Sequence, residues 1–585
     1  MPTVDEVFQT AITVHQAGRI AEAAAGYERI LAVAPKHADA LHLLGVTRTQ
    51  TGQPETAIDL IRRAIALNPG AAAYHNNLGG TLVEVRRYQE AIESLETALR
   101  LDPAMSGAMH NLAKALRLAG RVNEALVVAQ RSVELEPQSA SALNNLGTVR
   151  QELGQFAEAR ACFTRALQLE PQLAEAQQNM ANVLRMQGHY DEALPYAEAA
   201  ARLSPRWTAA WSNLGAVLSA LGRVEAARAS FAEALRLDPT YLEALANQAA
   251  VSQLLERFDE AWDLSRRALA IDPACVSAHF SLAQMLLMRG DFDAGWREYE
   301  WRLKLKPWEI TPHQAPRWDG SPLAGRTLLV WDEQGLGDSI QFARFIPLIA
   351  RQGGRIIVEC HRPLAGLLRR LPDVAEVVVR GEVLPPFDLH VPLLSVPLVL
   401  GLGDQITSQQ PAYLAPDPLR SAAWQRRLAG DDFKIGFVWR GRPSHQNDRL
   451  RSFRPEVLAP LAGLPGVRAY SLQLGARPEE LTELSSRGSV ENLAPELHEL
   501  DDTAAVMRQL DLVVSCDSAP VHLAGALGTP VWVALPRGPD WRWRLERSDT
   551  PWYPSMRLFR QRVLGAWPGV AEQLETALGE LLASR

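Results

Sequence analysis

Cysteine is scarce in this chain. Cys162, Cys275, Cys360 and Cys516 are the only four in 585 residues, with no CxxC pair and no nearby histidine at ligand spacing. A disulfide framework and a structural zinc site are therefore not expected, and a reducing compartment is the default. Lysine is scarcer than arginine, occurring only at Lys36, Lys114, Lys304, Lys306 and Lys434, and acidic residues outnumber basic ones to a net charge of −7. A general nucleic-acid binder needs a basic face, so no nucleic-acid partner is expected. No apolar run approaches the roughly 18 uncharged residues of a membrane-spanning helix, and the first residues lack the basic start and apolar run of a signal peptide. The expectation is a cytoplasmic protein with no integral membrane segment. A hydrophobic content of 47% with 22% charge describes a folded chain, not a disordered one.

What is present in quantity is periodicity. Pro35, Pro69, Pro103, Pro137, Pro171, Pro205, Pro239, Pro273 and Pro307 stand 34 residues apart. A fixed period of this size marks a stack of like supersecondary units. A small residue recurs at Gly45, Gly79, Ala113, Gly147, Ala181, Gly215, Ala249 and Ala283, where two helices must approach closely. Glycine recurs at Gly18, Gly52, Gly120, Gly154, Gly188, Gly222 and Gly290, where a helix ends at positive φ. Alanine recurs from Ala23 to Ala261 at the helix crossings, and each proline stops the second helix of its unit. In period and in each of these positions the unit resembles the tetratricopeptide repeat. About nine units fit residues 4–309, implying an all-α superhelix with a concave groove.

Asn77, Asn111, Asn145, Asn179, Asn213 and Asn247 keep the same register on the first helix of each unit. A row of amides can hold an extended peptide, since each offers a donor and an acceptor; it can equally bond the neighbouring helix within the stack. The row resembles the asparagine ladder in the repeats of O-linked N-acetylglucosamine transferases, which implies a protein or peptide partner. Trp296, Tyr299, Trp301 and Trp308 read as a capping core at the end of the stack.

After a proline-rich linker at 310–325 the pattern changes to short β-branched runs alternating with helices. The runs are Thr327–Trp331, Arg355–Glu359, Glu376–Val379, Lys434–Trp439, Arg468–Leu472, Leu510–Ser515 and Pro530–Leu535. This predicts parallel sheets of Rossmann type. A break near 410–430 divides them into a first lobe at 326–425 and a second at 430–585. Two strand–loop–helix junctions are chemically loaded. The first is Gly335-Leu336-Gly337-Asp338 before a helix expected over Ser339–Arg351. Asp338 is either a helix cap or a general base at a cleft. The second is Asp517-Ser518-Ala519-Pro520-Val521-His522, where a helix N-terminus, a hydroxyl and a histidine converge on a site suited to an anion. The structural alternative leaves Asp517 and Ser518 as caps and His522 as a satisfied surface residue.

The stretch from Asp517 to Pro536 resembles the corresponding segment of bacterial lipopolysaccharide heptosyltransferases, and the Gly335–Asp338 loop resembles their N-terminal G-[IL]-G-D. The resemblance implies a GT-B-like pair of Rossmann-type lobes and an inverting glycosyltransferase using a nucleotide-diphosphate sugar as co-substrate. Carried over by position, Asp338 is the catalytic base. Gly335, Gly337, Asp517, Ser518 and His522 bind the nucleotide sugar. Arg451, or else Arg440, lies near the phosphates in the loop opening the second lobe; the structural alternative leaves both as solvated surface charges. Ala519 stands where the family has glycine, and the first lobe, on the acceptor side, is short. No Asp-x-Asp occurs in the second half, so no metal and no further cofactor is expected. The order of repeats and transferase resembles O-linked N-acetylglucosamine transferases and implies an acceptor protein recruited by the repeats. The alternative is an interaction scaffold carrying an inactive sugar-nucleotide domain. The segment Asp540-Trp541-Arg542-Trp543-Arg544 either stacks on a nucleotide or packs back on the sheet.

Overall fold

The 34-residue register becomes a pair of helices, one of 13 and one of 14 residues, repeated with little variation from Val4–Gln16 and Ile20–Val33 onward. A computed structural model describes residues 3–305, 313–403, 412–443, 445 and 447–585. Pro307 and Trp308 lie outside the described residues, as do parts of the expected linker and of the expected break between lobes. The chain divides into two compact units, Met1–Val217 and Leu218–Arg585.

The recurrent residues do what their sizes allow. Ala23, Ala57, Ala91, Ala125, Ala159, Ala193, Ala227 and Ala261 are all fully buried. A Cβ on Gly45 would lie 2.5 Å from Ile61 Cγ1, and one on Gly147 would lie 2.5 Å from Phe163 Cε1. Glycine is thus needed there because the second helix of the unit closes onto the first. Gly18, Gly52 and Gly154 have φ of 75°, 75° and 74°, the left-handed conformation that lets the chain reverse after the first helix.

The second unit begins with the last repeats and ends with two parallel sheets. In the first sheet, β1 (Thr327–Trp331), β2 (Arg355–Cys360), β3 (Glu376–Val379) and β4 (Leu389–Pro392) take the order β3-β2-β1-β4. In the second, β5 (Phe433–Val438), β6 (Val467–Ser471), β7 (Val490–Asn492), β8 (Leu512–Cys516), β9 (Val531–Leu535) and β10 (Met556–Arg560) take the order β10-β9-β8-β5-β6-β7. Every strand pairing in both sheets is parallel. Counted from β5, the second sheet has the doubly wound dinucleotide-fold order, with its reversal between β5 and β8. The first sheet reverses between β1 and β4. In such sheets ligands bind beyond the carboxyl ends of the strands at the reversal, which puts the loops after β1, β5 and β8 in the ligand position.

Three strands were not expected: β4, β7 and β10. Each is short or interrupted by polar residues and carries no clear alternation. The helix expected over Ser339–Arg351 is broken instead. It runs Leu336–Phe342, tightens to a 3-10 turn at Ala343–Phe345 and resumes at Ile346–Ala350. Pro347 explains the break, because it lacks an N–H and its ring crowds the carbonyl of Ala343. Part of the expected break near 410–430 is a helix, Pro418–Arg427, whose first turn is capped by the Asp417 side chain accepting from Arg420 N–H at 2.9 Å.

One apolar core runs from the last repeat (Leu287, Phe292, Trp296) through the first lobe (Leu328, Val330, Ile346) into the second (Val513, Val521, Trp543). Trp296 and Tyr299 are buried in it, while Trp301 stacks flat on His279 at 3.8 Å. These aromatics cap the repeats as their clustering implied. The Trp541–Trp543 turn packs inward as well, with both indoles buried.

Candidate functional site

The loop after β1 turns sharply into the Leu336–Phe342 helix. Asp338 sits in the first turn, and its Oδ2 accepts the Gly335 N–H at 3.0 Å. It therefore caps its own helix. Its Oδ1 also accepts from Arg542 Nη2, which comes from the loop after β9. Arg542 is buried and fully engaged: Nε donates to Gln341 Oε1 at 2.5 Å, Nη1 donates to Asp540 Oδ1 at 2.8 Å, and the guanidinium lies 4.4 Å from the Trp541 ring centre. The result is a chain of alternating charge, Asp338–Arg542–Asp540. The neighbouring Gln334 accepts from Tyr299 OH at 3.3 Å.

The loop after β8 delivers the second set. Ser518 is the N-cap residue of the Ala519–Leu527 helix, but its hydroxyl turns back to the Cys516 carbonyl at 3.2 Å and caps nothing. Pro520 has no N–H, and Val521 N–H is spent on Ser518 O at 3.0 Å. The opening of this helix thus offers an anion fewer amides than its sequence implied. Asp517 is half-buried. Burial and the charge of Asp540 raise its carboxyl above the ordinary range, with Arg451 opposing. His522 is buried, not a surface residue. Its Nδ1 lies 3.0 Å from Tyr553 OH, and its ring stacks on Trp543 at 5.4 Å. Burial, with Arg542, Arg344 and Arg451 nearby, drives its pKa well down, so it is a neutral hydrogen-bonding group and not a cation for phosphate.

The loop after β5 separates the two arginine candidates. Arg440 turns away to Gly475 O (2.8 Å) and Glu480 Oε2 (3.2 Å). Arg451 lies 3.5 Å from Asp448 Oδ1, and its charge acts on Asp517 and on His522. Gly441 makes room for it, since a Cβ there would lie 2.7 Å from Arg451 Nη2. Ser444, in the same loop, lies outside the described residues.

The two lobes meet at Gly337. A Cβ on that residue would be 2.8 Å from His522 Cδ2 and 3.4 Å from Ala519 Cα. Gly337 is therefore needed for lobe contact, whereas Gly335 supplies the N–H that holds Asp338. Asp338, Arg451, Asp517, Ser518 and His522 are gathered on three loops; Arg440 is not among them. Sequence reasoning read Tyr299 only as part of the capping core and left the segments of Asp540, Arg542 and Tyr553 between nucleotide stacking and packing back on the sheet. An arginine between two tryptophans carried the one available signal.

The asparagine row is interlocked with a second polar row. Asn77 Nδ2 donates to His42 Nε2 at 2.8 Å, Asn111 to Asn76 Oδ1 at 2.9 Å, Asn145 to His110 Nδ1, Asn179 to Asn144 Oδ1 at 2.9 Å and Asn213 to Gln178 O at 3.4 Å. Each rung thus spends a donor on the residue 35 positions back. Asn247, in the second unit, is half-buried like the others. The within-stack bond is real, and most rungs keep a second Nδ2 hydrogen and the amide oxygen for a peptide; Asn179 also donates to Thr148 Oγ1 at 3.2 Å, and Asn77 Oδ1 accepts from Asn76 Nδ2 at 3.3 Å.

Comparison with known proteins agrees with both halves. Residues 475–535 match the model of glycosyltransferase family 9 (heptosyltransferase). Residues 82–149, 138–206 and 179–241 match models of the tetratricopeptide repeat, and 16–98 match that of anaphase-promoting complex, cyclosome, subunit 3. The chain is similar to Protein FlbA of Caulobacter vibrioides (strain ATCC 19089 / CIP 103742 / CB 15), 32% identical over 296 residues, covering 46% of this chain and 49% of the relative. It therefore spans about half the length of that curated relative. Among solved structures, the APC/C hetero-tetramer Cut9-Hcn1 matches 48% of this chain and 56% of its own, with TM-score 0.40 and 20% identity. YrrB, a TPR protein with an unusual peptide-binding site, matches 32% and 96%, with TM-score 0.27 and 24% identity. The family 9 segment contains β8, the Ala519–Leu527 helix and β9, hence Asp517, Ser518 and His522. Asp338, Arg451 and Arg542 lie outside it. The chain thus carries tetratricopeptide repeats followed by a glycosyltransferase-type α/β region. No helix among the described residues is long and apolar enough to cross a membrane.

Proposed function

We propose that the α/β region transfers a sugar from a nucleotide-diphosphate donor to a hydroxyl acceptor, and that the repeats recruit a protein bearing or carrying that acceptor. The observation that supports this best is the meeting of two reversal-point loops, one from each sheet, at Gly337 and His522. In this reading the donor diphosphate lies against the loop of Asp517 and Ser518, with Arg451 opposing its charge. Asp338 takes the proton of the acceptor hydroxyl as that oxygen attacks the anomeric carbon. The bond from that carbon to the diphosphate oxygen breaks, and the configuration inverts. Arg542 fixes the orientation of Asp338, and no step in this reading calls on a metal.

The test is nucleotide release and binding across ADP-, UDP-, GDP- and TDP-sugars, wild type beside Asp338→Asn. Turnover of one donor that disappears in Asp338→Asn while binding persists supports the reading. Absence of binding to every nucleotide overturns it. A second reading is an inactive sugar-nucleotide domain serving a scaffold. It is favoured by the two hydrogen bonds that already occupy Asp338, from Gly335 N–H and Arg542. Binding without turnover, with protein acceptors captured by the repeats supplied, would select it.

A further inference from the structure

His522 is 6% exposed, yet only one of its two ring nitrogens has a hydrogen-bond partner among the described residues. Nδ1 lies 3.0 Å from Tyr553 OH. Nε2 faces the meeting of the lobes, where a Cβ on Gly337 would lie 3.6 Å from it. A neutral imidazole carries one proton. The nitrogen that holds it decides whether Nε2 offers the site a donor or an acceptor.

The surroundings of Tyr553 settle the choice. Arg344 is 2% exposed, and among the described residues no carboxylate pairs with it. Its guanidinium lies 4.6 Å from the Tyr553 ring centre, 5.0 Å from that of Tyr413 and 5.6 Å from that of Trp552. It donates to Gln341 O at 2.9 Å, to Trp552 O at 2.8 Å and to Tyr413 OH at 3.3 Å. Tyr413 in turn gives its proton to Ile340 O at 2.9 Å. Arg344 and Tyr413 both stand beside the Tyr553 hydroxyl. Arginine can only donate there, so the phenol proton has two acceptors in reach, Tyr413 oxygen and His522 Nδ1. The imidazole nitrogen is much the stronger base, and the neighbouring guanidinium makes the phenol a better donor. Tyr553 therefore donates to Nδ1, and the proton of His522 sits on Nε2. Nothing contradicts this on the Nε2 side. The guanidinium nitrogens of Arg542 are spent on Gln341, Asp540 and Asp338.

We propose that Tyr553 is a positioning residue, backed by Arg344, that locks His522 as an Nε2–H donor aimed at an anionic oxygen between the Gly337 and Asp517–Ser518 loops. An Nε2 that carries the proton is not a base, so proton removal is left to a carboxylate. The charges of Arg451 and Arg542, which act on His522, favour an anionic oxygen over a neutral one. Calling that oxygen part of a nucleotide diphosphate rests on the transferase reading; the tautomer does not.

The test is heteronuclear NMR on the full chain carrying isotope-labelled histidine, which distinguishes the two neutral tautomers by their ring-nitrogen shifts. His522 is assigned by its absence in His522→Gln and by its contact with the Trp543 ring. The wild type is expected as the single Nε2–H form. In Tyr553→Phe, which removes the donor to Nδ1, the signal is expected to divide between the two forms. Binding of ADP, UDP, GDP and TDP is measured in parallel. For any nucleotide that binds, Tyr553→Phe should weaken affinity about five- to tenfold, the loss of one hydrogen bond. His522→Gln, which keeps an N–H donor, should lose less than His522→Leu. The proposal is overturned by a wild type protonated at Nδ1, by a Tyr553→Phe spectrum identical to that of the wild type, or by equal losses in His522→Gln and His522→Leu. The wild-type spectrum decides the tautomer even if a variant fails to fold. Failure of every nucleotide to bind sinks the transferase reading and leaves the tautomer result standing.

Discussion

In the first unit, the turn between the two helices of a repeat holds Gly18, Gly52, Arg86, Gly120, Gly154 and Gly188; in the second it holds Gly222, Glu256 and Gly290. Arg86 and Glu256 both accept positive φ, 60° and 59°, where glycine is unstrained. Arg86 is exposed and the strain there has no visible return. Glu256 grips the loop after β9, accepting from Arg537 Nε at 3.1 Å and from Gly538 N–H at 3.2 Å. That loop carries Asp540 and Arg542 to Asp338. At the end of the repeats, Arg302 similarly donates to Glu333, beside the Gly335–Asp338 loop, at 3.1 and 2.5 Å. The contrast shows one register used in two ways. Each unit has one departure from glycine at this turn: Arg86 makes it without a return, whereas Glu256 makes it where it holds a loop of the candidate site.

Breaking the second unit while sparing the first is the largest effect expected. Arg542→Ala strips the buried partner from Asp338 and Asp540, and Arg302→Ala does the same to Glu333, which burial already pushes up to about 7. Arg302→Ala should cost about 3–5 kcal/mol, the usual result of orphaning a buried charge, and Arg542→Ala less, because Asp338 and Asp540 stay partly in solvent. Urea melts followed by tryptophan fluorescence report this unit, because Trp207 and Trp211 are the only tryptophans before residue 218. A shift of less than about 1 kcal/mol would show that the pairs are dispensable.

Acid should act on the first unit through His42. Burial lowers its pKa from 6.5 to about 4, and it must stay neutral at Nε2 to accept from Asn77. Its folded pKa lies below the unfolded one, so the unfolded chain binds the extra proton between those values. Stability contributed by His42 is therefore full above about pH 6.5 and falls as pH drops toward 4, by up to about 3 kcal/mol. Melts of wild type and His42→Gln against pH should converge at low pH; parallel curves would contradict the assignment. Next in size is Gly147→Ala, whose Cβ meets Phe163 and should cost about 1–3 kcal/mol. A neutral result would mean that the helices separate freely. Smallest is Arg86→Gly, a gain of at most about 1 kcal/mol from relieved φ, against Glu256→Gly, where the same relief is opposed by release of Arg537. Equal gains at the two sites would erase the distinction between the early and late repeats.

The repeats were legible because a 34-residue period writes the same steric demand many times, and glycine, alanine and proline leave few substitutes. The parallel sheets were legible through β1, β2 and β8, whose apolar runs are continuous. β7, three residues of Val-Glu-Asn, and β4, interrupted by His390, carry too little pattern, and Pro347 broke a helix that periodicity had joined. At the candidate site, Asp338, Asp517 and Ser518 stood out as loop residues beside strands. Arg440 and Arg451 looked alike in sequence and part company in space, because Glu480 draws one away. The pairing of Tyr553 with His522 was invisible, since the two lie 31 residues apart with β9 between them.

By itself the sequence determined the repeat, its helix pairs, the change to parallel strands and the position of two ligand-type loops, because each rests on interactions close along the chain. Only the tertiary structure decided which side chains meet. The pairing of Asp338 with Arg542 spans 204 residues, and Arg537 meets Glu256 across 281. Such contacts are set by how sheets and helices pack, and no local pattern records them. The burial that keeps His522 neutral arises in the same way, from neighbours supplied by distant segments.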